Sequence, residues 1–255
     1  ERYKRHAAGE WMRQSVQGPD GMTMWFDEPG WDHDRMSEDP EIRAENQKWV
    51  DALAAEGLVA PAWAKEHGGA GLSTIEQFVF NEERERVSAP RVGGTGAMFL
   101  GSLLMVYGSE EQQAKYMPPI AQGEIQWAQG YSEPGAGSDM TALKTHAHLD
   151  GEDYVLDGRK LFITNATYGR LVSVVCLVDD APQILLVDLP PTDTDTFQIE
   201  TYGLHALKKL HNNALVFKNH RVPKENLIQL DRGDGLTVAY HGLNFQKVSI
   251  FYSLE

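Results

Sequence analysis

From Pro40 onward, apolar residues recur at helical spacing: Ile42, Trp49, Val50, Leu53 and Ala54 fall on one face of "EDPEIRAENQKWVDALAAEGL". Ser37 and Asp39 are available as caps, Pro40 suits an early helical position, and Gly57 supplies a stop. After the loop "EHGGAGLS", Ser73 or Thr74 opens a second predicted helix, "TIEQFVFNEERERV". A third, "GSEEQQAKYMPPIAQGE", has Ser109 as its cap and Glu110 and Glu111 in its first turn, and is expected to break at Pro118. After Gly123 the pattern changes to short alternating runs: "THAHLDGEDYVLDGRKLFITN", "LVSVVCLVD", "QILLVDL", "FQIETYGL" and "NALVFKNHRVP". Asp150-Gly151 and Asp157-Gly158 read as hairpin turns, so this part is predicted to be antiparallel β. The last stretch, "GDGLTVAYHGLNFQKVSIFYSLE", predicts a helix from near Leu236 whose apolar face finds no partner in the chain. The expected class is α+β and multidomain: an N-terminal extension over 1–39, an all-α helical domain over 40–122, a β domain over 123–234, and the opening of a further helical domain over 235–255.

Charge and composition narrow the functional classes. A formal charge of -14 and a pI near 5.0 exclude a nucleic-acid surface, which needs clustered Lys and Arg. No apolar run approaches the roughly 18 residues of a membrane helix, and "ERYKRHAAGEW" lacks the apolar core of a secretory signal. A cytoplasmic, reducing setting without membrane insertion is expected. The single cysteine, Cys176, has no internal disulfide partner and sits in a run that reads as a buried strand. Before Pro40, "GPDGMTMWFDEPGWDHDRM" reads as a surface loop docking aromatic side chains. Its Asp32, His33 and Asp34 are adjacent and point in different directions, with nothing nearby to complete a metal site. His146 and His148 share one face of a strand but have no third ligand, so a solvent-facing pair and no metal are expected.

The stretch that carries chemistry is "QWAQGYSEPGAGSDM". Gly135 and Gly137 let backbone N–H groups turn toward one point, and Ser132, Ser138 and Thr141 add hydroxyls, a combination suited to phosphate. Taken alone it is equally a structural turn, and it matches neither the dinucleotide fingerprint nor the P-loop. Glu133 and Asp139 would repel an anion; their expected role is to hold the loop by accepting from backbone N–H groups or a nearby basic residue. Without wider context, Phe162 and Ile163 read as core, and Thr164-Asn165 as a strand end.

Order and spacing supply that context. "YSEPGAGSDMTALKTHAHLDGEDYVLDGRKLFITNA" resembles the middle-domain signature of the acyl-CoA dehydrogenase flavoprotein family. That signature is an S/T-E-P-G-A-G-S-D loop, a K-T-x-A strand, a hairpin, then G-x-K-x-W/F-I-T-N. The resemblance extends through "EHGGAGLS", "YGSEEQQAKYMPPIAQGE" and "NHRVPKENLI", from about Glu41 to Asn244. It implies a helical N-terminal domain, an antiparallel β-barrel middle domain and a C-terminal four-helix bundle, only the start of which lies in this chain. FAD would lie between the last two. Carried over by position, Gln129, Tyr131 and Ser132 line the flavin ring. Ser138, with the backbone of Gly137, falls at the FAD pyrophosphate and the acyl-CoA. Phe162, Ile163 and Thr164 match the strand beside the isoalloxazine, Thr164 as a hydrogen-bond partner to its N5 edge and Ile163 contributing mainly its backbone. Many members have Trp and Thr where this chain has Phe162 and Ser132; the aromatic wall and the hydroxyl are kept.

The implied reaction is α,β-dehydrogenation of an acyl-CoA thioester: a carboxylate takes the α proton, the β-hydrogen leaves as hydride to flavin N5, and an electron-transfer partner reoxidises the flavin. In the family the base is a Glu of the C-terminal bundle. Its early position falls near Gln246 or Lys247, where there is no carboxylate, and the terminal Glu255 is a poor substitute, so no catalytic base is assigned. Lys208, Lys209 and His211 in "LKKLHNN" either meet CoA phosphates or form a solvated turn. Two other readings stay open: a non-catalytic or half-site subunit whose partner chain supplies the base, and a flavin oxidase or monooxygenase on the same scaffold. In the family the acyl tail is gripped by the bundle helices, so the resemblance implies that its identity is not readable from these residues. Homo- or hetero-oligomers are implied by resemblance alone.

Overall fold

A computed structural model describes residues 14–17, 23–26, 34–35, 37–87, 89–167, 169, 171–202, 212–228 and 235–251. They fall into two compact units, one within Glu1–Gly93 and Ala121–Gly123, the other within Gly94–Ile120, Glu124–Gly203 and His211–Glu255.

In the first unit, β1 (Gln14–Gln17) and β2 (Thr23–Phe26) form an antiparallel pair with Gln14 opposite Phe26. The sequence predicts only a loop there, because two four-residue strands carry too few positions for alternation to show. Helix α1 (Pro40–Ala55) starts at Asp39, whose carboxylate accepts the Glu41 N–H at 2.8 Å, and the chain turns away through Gly57 at φ +68°. Val50 and Leu53 are buried, and the Trp49 indole donates to the Pro90 carbonyl at 3.0 Å. Helix α2 (Thr74–Arg86) opens on a reciprocal capping box between Ser73 and Glu76.

The second unit begins with a π-helical turn, Gly96–Leu100, which runs into α3 (Gly101–Tyr107). Helix α4 (Glu110–Ala121) is capped by Ser109, whose hydroxyl accepts the Gln112 N–H at 3.2 Å. Contrary to expectation, α4 does not break at Pro118 but continues through Pro118 and Pro119. Each proline forfeits one intrahelical bond, and burial of Tyr116, Met117 and Ile120 around them favours the helical path.

The sheet is mixed, not the purely antiparallel barrel expected. Strands β3 (Trp127–Gly130), β4 (His146–Asp150), β5 (Asp153–Thr164), β6 (Leu171–Val178), β7 (Ala181–Asp188), β8 (Phe197–Thr201) and β9 (Asn212–Pro223) pair in the order β3-β6-β4-β5-β9-β8, with β7 also on β6. β7 covers one edge of β6 along its whole length, antiparallel. The other edge is shared: β3 runs parallel to Leu171–Val174, and His146 and Ala147 of β4 run parallel to Leu177 and Val178. The β4–β5 hairpin and the turn before β6 provide the long connection that parallel pairing requires. Residue alternation marks strands without giving their direction, and β3 is too short to show alternation at all.

Asp157-Gly158 is likewise not a turn. It lies inside β5 at a bulge, where the register against β9 shifts between Leu156 and Gly158. Gly158 is needed for approach: a Cβ there would stand 2.4 Å from the Thr145 hydroxyl oxygen. Val172, Val174 and Cys176 of β6 pack with Leu185, Val187, Leu215 and Phe217 in the sheet core, and burial pushes the Cys176 thiol up to about 12.

Helix α5 (Gly235–Phe251) does find a partner, against expectation: it lies on β6, β7, α3 and the π-helical turn. Its glycines allow the fit, since a Cβ on Gly242 would come within 2.3 Å of the Phe99 ring. No described helix is long and apolar enough to cross a membrane.

Candidate functional site

The residues singled out by sequence lie where the chain leaves the sheet. Between Gly130 at the end of β3 and His146 at the start of β4, the chain departs from the shared edge of β6 and returns to it further along. Within this excursion Glu133 and Ala136 bond reciprocally, Glu133 N–H to Ala136 O at 2.7 Å and Ala136 N–H to Glu133 O at 3.2 Å. Pro134 and Gly135 are thus the corners of a tight turn. Neither Gly135 nor Gly137 has a positive φ, and a Cβ on either would meet nothing within 4 Å. Among the described residues no conformational or packing demand explains these glycines; they leave open space over the loop backbone.

The two acids hold the loop, as expected. Asp139 accepts from the Thr141 N–H at 3.1 Å and from its hydroxyl. The Glu133 carboxylate accepts from the Lys144 N–H at 2.8 Å, the Thr145 N–H at 3.1 Å and Lys160 Nζ at 2.7 Å. Burial acts to raise the Glu133 pKa, but the Lys160 charge and the hydrogen bonds from Lys160, Thr145 and Lys144 outweigh it and hold the carboxyl below its usual range. Lys160 is the weaker half: burial pulls its ammonium down, and Glu133 offsets that only in part. The pair is ionised, because three donors converge on the carboxylate.

β5 brings the second part of the site against the loop. The Leu161 N–H donates to the Ser132 carbonyl at 2.8 Å, and Lys160 Nζ donates to the Tyr131 carbonyl at 3.1 Å. Between Lys160 and Ile163 the register against β9 slips again, leaving Leu161 and Phe162 unpaired on a bulge. Phe162 has φ +58° and is 59% exposed, whereas its neighbour Ile163 is buried in the core. A bulky residue in left-handed backbone costs about 1–2 kcal/mol, so the bulge displays an aromatic ring at an energetic cost. The Thr164 hydroxyl donates to the Asn212 side-chain oxygen at 3.2 Å.

The structure therefore brings Tyr131 and Ser132 alongside the segment Lys160–Thr164, and places Gln129 on β3 leading into the loop. Gly137 and Ser138 lie exposed beyond the turn. Tyr131 is buried, its ring edge-on to Phe99 at 5.8 Å, and burial raises its phenol pKa. Several buried polar atoms of the described residues have no partner, among them the Gln129 amide nitrogen and the Tyr131 hydroxyl, and the half-buried Ser132 leaves its N–H and hydroxyl unpartnered as well. Sequence reasoning missed Lys160, Tyr202 and Phe99. Lys160 alone left a signal, as the basic residue that Glu133 was expected to find. His146 and His148 are exposed. Asp32, His33, Lys208, Lys209, His211, Glu255 and the side chains of Gln246 and Lys247 lie outside the described residues.

Comparison with known proteins fixes the family. Residues 31–124 match the acyl-CoA dehydrogenase N-terminal domain, and residues 128–220 match its middle domain. The chain belongs to the acyl-CoA dehydrogenase family. It is 32% identical over 241 residues to acyl-CoA dehydrogenase IpdE1 of Mycobacterium tuberculosis, covering 93% of this chain and 60% of that protein. Among solved structures, the Tcur3481-Tcur3483 steroid ACAD shares 30% identity with a TM-score of 0.70, over 86% of this chain and 54% of that one. A glutaryl-CoA dehydrogenase from Mycobacterium smegmatis in complex with FADH2 shares 26% identity with a TM-score of 0.63, over 78% of this chain and 51% of that one. This acyl-CoA dehydrogenase chain thus spans between 51% and 60% of the length of these three proteins. The group that the family carries, FAD, suits the donor set: a flavin offers acceptors along one edge, and the leftover groups here are donors beside an exposed aromatic ring.

Proposed function

We propose that this chain is the flavin-holding portion of an FAD-dependent acyl-CoA dehydrogenase that performs α,β-dehydrogenation of an acyl thioester. The observation that carries the reading is the Leu161 N–H to Ser132 O bond, which sets unpaired donors of the loop beside the strained, exposed Phe162. When bound, FAD supplies the acceptor for the hydride lost from the substrate's β-carbon. The Gln129 amide and the N–H and hydroxyl of Ser132 are the groups to hold the ring's acceptors. Phe162 provides an apolar wall that excludes water, with Tyr131 behind the loop and the Thr164 hydroxyl at the ring's reactive edge. Ile163 anchors the strand in the core. The open backbone at Gly137 and the exposed Ser138 suit the pyrophosphate and the acyl-CoA, since unencumbered N–H groups and a hydroxyl are phosphate donors.

Helical and middle domains over 40–122 and 123–234, an electron-transfer acceptor and an oligomeric assembly complete the proposal; likeness to the family supports each. The test is anaerobic mixing of the full protein with acyl-CoA. Loss of the visible flavin band is expected; a band unchanged by acyl-CoAs of varied chain length and branching would overturn the dehydrogenase reading.

A further inference from the structure

The ion pair of Glu133 and Lys160 is more elaborate than stability requires. Its side chains are 4% and 0% exposed, and the charges meet at 2.7 Å. An apolar pair of similar volume would stabilise a fold as well or better, because desolvation offsets most of the attraction between buried charges. What an apolar pair cannot do is bind backbone at several places at once. Glu133 grips the returning end of the excursion through the Lys144 and Thr145 N–H groups, and Lys160 grips its departing end through the Tyr131 carbonyl. Between those grips, Leu161 fixes the Ser132 carbonyl. Thr145 is seated close against Gly158, which brings the returning strand onto β5. Every bond of this clasp uses a carbonyl or a carboxylate of the loop, and the Ser132 N–H and hydroxyl remain free beside the Phe162 bulge.

We propose that Glu133 and Lys160 are positioning residues for the cofactor: their clasp pre-forms the Tyr131–Glu133 backbone, so that Ser132 presents its donors without the loop having to order when FAD binds. The inference rests on the functional reading above and deepens it. Pre-organisation of this kind lowers the entropic cost of binding and should appear as a loss of affinity in a variant that still folds.

The test replaces the clasp in the full protein by apolar residues, Glu133→Leu with Lys160→Met, and measures the FAD dissociation constant, the visible circular dichroism of the bound flavin and the urea midpoint. The midpoint is expected to fall modestly, because the Lys144 and Thr145 N–H groups and the Tyr131 carbonyl lose their partners, while FAD affinity of the folded variant falls at least roughly tenfold and the flavin dichroism changes. Glu133→Gln, which keeps a side-chain oxygen for the Lys144 and Thr145 N–H groups, is expected to fall between this variant and the parent. A folded double variant that binds FAD like the parent overturns the positioning role. Parent protein that binds no FAD overturns the functional reading instead. If the double variant does not fold, hydrogen exchange of the parent stripped of FAD decides: slow exchange at Lys144, Thr145 and Leu161 is expected, and fast exchange at these amides contradicts a pre-formed clasp.

Discussion

The Tyr202 hydroxyl accepts the Phe162 N–H at 2.6 Å, and the two rings stand edge to face with centroids 6.1 Å apart. This contact holds an exposed aromatic residue at φ +58°, a conformation that Phe does not favour. Stability and function therefore pull in opposite directions here. Phe162→Gly should leave the urea midpoint unchanged or raise stability by up to about 1 kcal/mol, while weakening FAD binding roughly tenfold or more. Tyr202→Phe should cost about 1 kcal/mol, the worth of one hydrogen bond. Equilibrium unfolding and FAD titration of the two variants check both statements.

Glycines in this protein serve opposite needs. Gly242→Ala drives a methyl into the Phe99 ring, which in turn supports Tyr131, and should destabilise the fold by about 1–3 kcal/mol. Gly135→Ala and Gly137→Ala meet nothing within 4 Å among the described residues. They should change stability by less than about 0.5 kcal/mol yet reduce FAD affinity. Thermal unfolding separates the two classes, and a large loss of stability in Gly135→Ala would count against an open cradle.

His220 gives the fold a pH dependence. Its ring is buried between Phe197 and Phe217, at 5.9 and 5.6 Å, and its Nδ1 lies 3.2 Å from the Thr196 hydroxyl. Burial pushes its pKa below the usual 6.5. As the pH falls below that value the unfolded chain takes up the proton first. The stability His220 contributes is thus full above 6.5 and is lost as the pH drops through the folded-state pKa. His220→Phe should narrow the loss of stability between about pH 7 and about pH 5, measured by urea midpoints at each pH.

Much of this could be read from sequence where the cause is local. Asp39, Ser73 and Ser109 cap their helices because capping needs only a side-chain oxygen within three residues. Cys176 is buried because it lies within an apolar strand, as its sequence neighbours Val174, Val175 and Leu177 indicate. What escaped notice depends on distant pairings. The parallel registers of β3 and β4 on β6 join segments far apart in sequence, and Gly158 looked like a turn residue because its partner, Thr145, lies on another strand. In the site, the loop motif and "FITN" were legible as a pattern. The Phe162 bulge, the Tyr202 contact and the Lys160 clasp were not, since each arises only when β5 is laid against its neighbours.

The central claim is that the loop after β3 and the bulge of β5 hold a flavin. The measurement that bears on it most directly is the FAD dissociation constant of the full protein, alone and with Gln129→Leu and Ser132→Ala combined. The account predicts a visible flavin band in the parent and affinity reduced at least roughly tenfold in the variant, with the fold retained. A parent that stays colourless after reconstitution with FAD, or a folded variant that binds FAD as tightly as the parent, would contradict it.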